Sequence, residues 1–130
     1  MITALYASLC ALLLVKLSLN VIKVRRQFRV RLGDGNHDVL TAAIRAQGNA
    51  NEYIPITLIL MFTLESMAVS SWLIHIAGIT LLIGRLCHAS ALKQDNIQRR
   101  AVAMRITLFL IIILALLNMV FLAWGYFHGY

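Results

Sequence analysis

Five residues in one short stretch carry most of the chemistry open to this chain: Arg45, Gln47, Asn49, Glu52 and Tyr53. They lie in Arg45-Ala-Gln-Gly-Asn-Ala-Asn-Glu-Tyr-Ile-Pro55, which also holds the single proline of the sequence. Successive residues of a helix advance by about 100°. With Arg45 at zero, Asn49 falls at about 40° and Glu52 at about −20°, Tyr53 beside them at about 80° and Gln47 behind at about 200°. Arg45, Asn49 and Glu52 therefore share a polar stripe about two turns long. Two arrangements fit it. Arg45 and Glu52 can pair internally, with the amides as glue between helices. Alternatively, the stripe is one wall of a pocket for a zwitterionic ligand. Glu52 would then hold an ammonium, Arg45 and nearby arginines carboxylates, and Asn49 and Gln47 amide groups. Polar groups on two faces of one helix require protein on both sides, which a homo-oligomer with sites between subunits supplies.

The elements that position this stripe are membrane helices. Apolar residues make up 61% of the 130 residues, and they come in long blocks, more than a soluble domain of this size carries. Mean hydropathy is +0.82. The expected fold is an all-α membrane protein of one domain, residues 1–130, with four transmembrane helices. The net charge of +7 does not indicate nucleic acid. Lys23, Arg25, Arg26, Arg29 and Arg31 form one cluster and Lys93, Arg99, Arg100 and Arg105 another. Both flank apolar blocks, as cytoplasmic loops and lipid-headgroup contacts do. Cys10 and Cys87 are isolated thiols without metal-ligand or redox spacing.

In chain order, helices are expected at about 2–24, 39–65, 70–92 and 97–127. The first has no basic region before its apolar run and no small-residue cleavage site, so it reads as a retained helix. The loop after it contains Asp34-Gly-Asn-His-Asp38, which starts like a calcium loop, but the twelfth position is Arg45 where an acid is needed. The second helix has a polar first third, and Glu65-Ser66-Met67 turns the chain. In the third, Gly78 and Gly84 permit close helix approach, and Arg85, His88 and Lys93 gather at its end. The fourth ends in an aromatic belt of Trp124, Tyr126, Phe127 and Tyr130. Both termini then share one side of the membrane, and both basic loops lie on the cytoplasmic side. His75 reads as a packed polar residue and Asn118 as interhelical glue. Met61, Met67, Met104 and Met119 read as core or lipid-facing, and His37 and His128 as solvated. The sequence shows no nucleophilic triad, phosphate loop or metal-ligand cluster.

Arg45-Ala-Gln-x-Asn-x-x-Glu-Tyr-x-Pro55 closely resembles the signature of the MAPEG family, the membrane-associated proteins of eicosanoid and glutathione metabolism. The likeness is greatest to the leukotriene-synthase and microsomal glutathione transferase branch. Arg25-Arg26-Gln-Phe-Arg29-Val resembles the end of that family's first helix and Gly84-Arg85-Leu-x-His88 its third. The resemblance implies a homotrimer of left-handed four-helix bundles in a bacterial inner membrane, both termini periplasmic. It implies glutathione as co-substrate, bound between subunits near the cytoplasmic face, and a lipophilic electrophile as second substrate. Arg45, Asn49, Glu52 and Tyr53 match the glutathione-binding positions of the second helix, and Gln47 matches a contact from the adjoining face. Arg25 matches a residue that holds a glutathione carboxylate, and Arg26 a position near the second substrate. His88 stands at a binding position that is His or Tyr in the family. Arg99 or Arg100 is placed like the arginine that stabilises the thiolate, and loop length leaves both open. Such a role is chemically sound: a free thiol has a pKa of about 8.5, and a guanidinium within reach favours the nucleophilic thiolate.

One departure bears on turnover. Several members of the family carry a tyrosine one turn after the position of His88, where this chain has Leu92, and no tyrosine occurs between Tyr53 and Tyr126. A glutathione transferase or peroxidase is the leading expectation. A non-catalytic scaffold or sensor that retains the pocket is the alternative that Leu92 favours. A small multidrug-type transporter with Glu52 as coupling carboxylate is a third.

Overall fold

A computed structural model describes residues 1–128 of the chain; Tyr130 of the aromatic belt and the side chain of His128 lie outside the described residues. Four helices fill it: α1 (Ile2–Phe28), α2 (Asp38–Ser66), α3 (Ser71–Lys93) and α4 (Ile97–His128). Interhelical contacts fix their directions. The start of α1 meets the end of α2, where the backbone N–H groups of Ile2 and Thr3 donate to the Glu65 carboxylate, the latter at 2.9 Å. Near the same end, Tyr6 of α1 is hydrogen-bonded to Nδ1 of His75 in α3 at 2.9 Å. Thr63 of α2 donates to Oδ1 of Asn118 in α4 at 2.6 Å. The helices thus run up and down in alternation. Both basic loops lie at the opposite end, hereafter the basic end.

Helices α1, α3 and α4 are each long and apolar enough to cross a membrane. The remaining helix, α2, has its apolar run interrupted by Arg45, Gln47, Asn49, Asn51 and Glu52. At 29 residues it is still about 44 Å long, enough to pass through a hydrocarbon core of about 30 Å. It packs against all three others. Its buried positions, Ala43, Ala46, Ala50, Ile54, Thr57, Met61 and Leu64, recur every three or four residues, the helical period. Lipid tails are as apolar as the core, so close packing holds such helices together and small residues sit where backbones approach. Gly78 of α3 shows this: a Cβ there would overlap the Tyr6 ring. At Gly84 a Cβ would lie 3.0 Å from the Thr107 hydroxyl of α4. Asn118 is interhelical glue, its Nδ2 donating to the Leu60 carbonyl at 3.1 Å.

The helix ends are set by three left-handed residues that are not glycine: Arg29 (φ 55°), Ala68 (φ 56°) and Asp95 (φ 51°). Each closes a paired hydrogen-bond stop of the Schellman type. After α1, for example, Arg29 N–H donates to the Arg26 carbonyl at 3.3 Å and Val30 N–H to the Arg25 carbonyl at 3.0 Å. Helix α1 therefore runs to Phe28, past the expected Val24, and takes Arg25 and Arg26 with it as its last turn. The loop beyond is ordered by Asp34. Its carboxylate accepts the Asn36 N–H and the Thr41 hydroxyl, each at 3.1 Å. These bonds, the backbone one foremost, hold its pKa below the ordinary aspartate value. His37, expected to be solvated, instead stacks on Phe28 with ring centroids 4.2 Å apart.

Candidate functional site

At the basic end, three helices bring polar side chains to one cavity of about 330 Å³. Arg45 and Asn49 come from α2, one turn apart. His88 and Leu92 come from α3 with the same spacing, and Ile97, Arg100, Ala101 and Met104 from the first turns of α4. Residues four apart share a helix face, so α2 presents a wholly polar edge to the cavity, while α3 and α4 each present polar and apolar residues. Asn96 starts α4 as its cap, accepting the Arg99 N–H at 3.0 Å. No acidic residue lines the cavity. His88 is buried and lies in the field of Arg45, Arg85 and Arg100.

Beneath the cavity is Arg85, only 2% exposed. Its guanidinium donates to Oδ1 of Asn49 and to the hydroxyl of Thr107, and it lies 5.5 Å from the centroid of the Tyr53 ring. Its Nε has no hydrogen-bond partner. No carboxylate pairs with it; the one ion pair among the described residues joins the N-terminal amine and Glu65. A buried cation held by neutral groups is costly, several kcal/mol after relaxation, and it makes the cavity above it attractive to anions. It also orients Asn49. With Oδ1 engaged by Arg85, the Asn49 amide nitrogen points to Met104, 3.8 Å from the sulfur.

The residues singled out in the sequence divide into two sets. Arg45, Asn49, His88 and Arg100 meet at the cavity. Arg99 does not line it; this side chain is exposed and donates to Oε1 of Gln94 at 3.4 Å. Glu52 is exposed on the outside of the bundle, without an ion pair to Arg45. Tyr53 and Gln47 are half-buried outside the cavity lining. Arg25 donates to the Gly33 carbonyl at 2.7 Å, and Arg26 is exposed. The internal Arg45–Glu52 pair, one of the two arrangements the stripe allowed, is thus not formed. The brace of Arg85, Asn49 and Thr107 escaped the sequence reading, which placed Arg85 in a cation cluster at the helix end. The available signal was the three-residue step from Arg85 to His88, which puts both on one face. No group of His, Cys, Asp or Glu among the described residues could hold a metal.

A four-helix membrane bundle with an anion-attracting cavity at its basic end is the class of protein that fold and site define. The chain belongs to the MAPEG family, whose sequence pattern it matches over residues 3–124. It is 42% identical over 124 residues, 95% of either chain, to the inner membrane protein YecN of Escherichia coli K12. The same identity and coverage hold for the protein of that name in Escherichia coli O6:H1.

Proposed function

We propose that the chain is an inner-membrane, glutathione-binding protein of glutathione transferase or peroxidase type, with its basic end in the cytoplasm. The observation that carries this reading is the convergence of Arg45, Asn49, His88 and Arg100 on one cavity without an acid in its lining. Glutathione has two carboxylates, a thiol and one ammonium; the carboxylates and thiol need cations and amide donors, which this cavity supplies, and the ammonium needs an acceptor from another wall. Arg45 and Asn49 would engage the peptide, and Arg100 would stand beside the sulfur. The guanidinium favours loss of the thiol proton to solvent. The thiolate then forms a carbon–sulfur bond to a lipophilic electrophile entering from the bilayer, and the electron pair of the broken bond leaves with the electrophile's leaving group or stays on it as a carbanion to be protonated. Glu52, Tyr53 and Gln47 fit the same ligand only if a second subunit brings another wall to it, which favours a homotrimer with sites between subunits.

Leu92 supports a second reading. It lines the cavity with an aliphatic side chain, so no hydroxyl reaches the sulfur from that wall, and a non-catalytic scaffold or sensor could retain the same pocket. Titration of the purified protein with reduced glutathione, followed by thermal unfolding, tests the binding on which the first reading depends. A ligand that binds only the folded state raises Tm by several degrees once well above its Kd. Oxidised glutathione, twice as bulky, should give a smaller rise. An unchanged Tm at millimolar glutathione would leave the non-catalytic module as the better account.

A further inference from the structure

The outer side of α1 carries a polar stripe that the cavity does not use. With Lys16 at zero, Lys23 falls at about −20°, Gln27 at about 20° and Asn20 at about 40°, and all four side chains are exposed. None of them has an ion pair or hydrogen bond among the described residues. Helix α1 contains no acid, and Lys16 is its only charged residue between Ile2 and Val21. The buried positions Tyr6, Cys10 and Leu13 fall at about 60–120°, so the stripe borders the packed side without entering it. Arg25 falls at about 180°, and a subunit neighbour on that side would leave the stripe to lipid.

Depth and charge define an occupant. Measured from Ile2, whose N–H is capped by Glu65, a hydrocarbon core of about 30 Å ends near Val21. The Lys16 backbone then lies about 8 Å inside it. A four-carbon stem reaches about 6 Å, and Cα–Cβ bonds tilt toward the helix N-terminus, away from that interface. Lys16 therefore does not carry its charge fully into the headgroups, and an unmet ammonium in hydrocarbon is costly. Lys23 and Asn20 lean toward it by the same tilt. Below Lys16 the face continues as Leu12 and Leu9, both exposed, at about −40° and 20°. We propose that this face of α1 binds one anionic phospholipid from the leaflet at the basic end. Its phosphodiester sits at the level of Asn20, between the Lys16 and Lys23 ammonium groups, and its acyl chains lie along Leu12 and Leu9. Lysine meets a phosphate as a point charge, and the Asn20 amide adds N–H donors. Two cations without an acid favour a headgroup of net negative charge over a zwitterion. None of these residues lines the polar cavity, so the site is independent of thiol binding.

The test uses the whole protein in nanodiscs of phosphatidylcholine and phosphatidylglycerol with matched acyl chains. Native mass spectrometry of the released protein reads the lipid retained per chain. One phosphatidylglycerol is retained per chain in preference to phosphatidylcholine. Lys16→Gln lowers that preference about fivefold, the effect of one lysine among anionic headgroups, and Lys23→Gln does the same. Lys16→Arg keeps most of it. Arg31→Gln removes an equal charge from the exposed loop beyond α1 and leaves the preference nearly unchanged. Equal retention of the two lipids, or a loss in Lys16→Gln no greater than in Arg31→Gln, would overturn the proposal. So would disulfide-linked dimers of Asn20→Cys beyond those of the parent protein, because a second copy of the chain would then cover this face.

Discussion

Arg85 is the residue whose removal should reveal most about how the site is held. It is the largest fully buried side chain, and it joins α3 to α2 through Asn49 and to α4 through Thr107. Truncation would open a cavity and leave Oδ1 of Asn49 without its donor, while the Thr107 hydroxyl keeps its bond to the Ala103 carbonyl at 3.2 Å, so Arg85→Ala should lose about 2–4 kcal/mol of unfolding free energy. A double-mutant cycle with Asn49→Ala, measured by denaturant unfolding in mild detergent, should give a coupling of about 1–3 kcal/mol. Additive single effects would show that the bond contributes nothing. Arg99 and Arg100 separate in a different experiment. Arg100 lines the cavity and Arg99 turns to Gln94. If Arg100 faces the sulfur, Arg100→Ala should raise the pKa of bound thiol by about one unit or more, about 1.4 kcal/mol for each unit. The thiolate absorbance difference at saturating glutathione would fall by up to about tenfold for each unit at neutral pH, while Arg99→Ala would leave it nearly intact. Equal losses in both variants would count against this assignment. The sequence places both arginines on the first turn of α4 but does not say which one the loop turns inward. That choice depends on Asn96, which caps α4 and fixes its first turn.

At the level of elements, number, type and order were legible because long apolar blocks separated by basic clusters leave few alternatives. The helix ends were harder to read. Glycine is the usual mark of a left-handed stop, yet this chain stops its helices with Arg29, Ala68 and Asp95, and the nearby Gly33 belongs to the loop beyond. Nor does any local pattern announce that the Glu65 carboxylate, at the end of α2, will accept the first N–H groups of α1. That cap joins positions more than sixty residues apart. The non-glycine stops have a measurable consequence. A side chain in the left-handed region costs about 1–2 kcal/mol, and the Ala68 side chain is exposed. Ala68→Gly should therefore stabilise the bundle by about 0.5–1 kcal/mol after the unfolded chain's added freedom is offset. Reversible thermal unfolding would show a higher Tm, and a lower one would mean that the α2–α3 turn is not strained at this residue.

At the scale of the whole molecule, hydropathy gives the depth of a residue in the membrane but not the direction it faces. The stripe of Arg45, Asn49 and Glu52 was read as one surface. In the bundle Asn49 turns to Arg85, Arg45 borders the cavity and Glu52 looks outward. Gln47, on the opposite side of α2, is half-buried with no hydrogen-bond partner among the described residues. Charged and amide groups at membrane depth are costly unless met by protein or water, so a subunit neighbour is the natural complement to this outer face. If Gln47 serves a site built chiefly by the next subunit, two defective chains can repair one another. Arg100→Ala damages the wall a chain gives to its own cavity, and Gln47→Ala the wall it lends to its neighbour's. In a closed ring of mixed subunits, about a quarter of the sites would then be intact on both walls. Co-expressed and co-purified, the two variants should recover about that fraction of the wild-type thiolate signal, whereas each alone gives little. Signal no greater than the average of the two separate variants would mean that both residues serve a site within one chain. Crosslinking in mild detergent that yielded only monomers would remove the premise of a shared site.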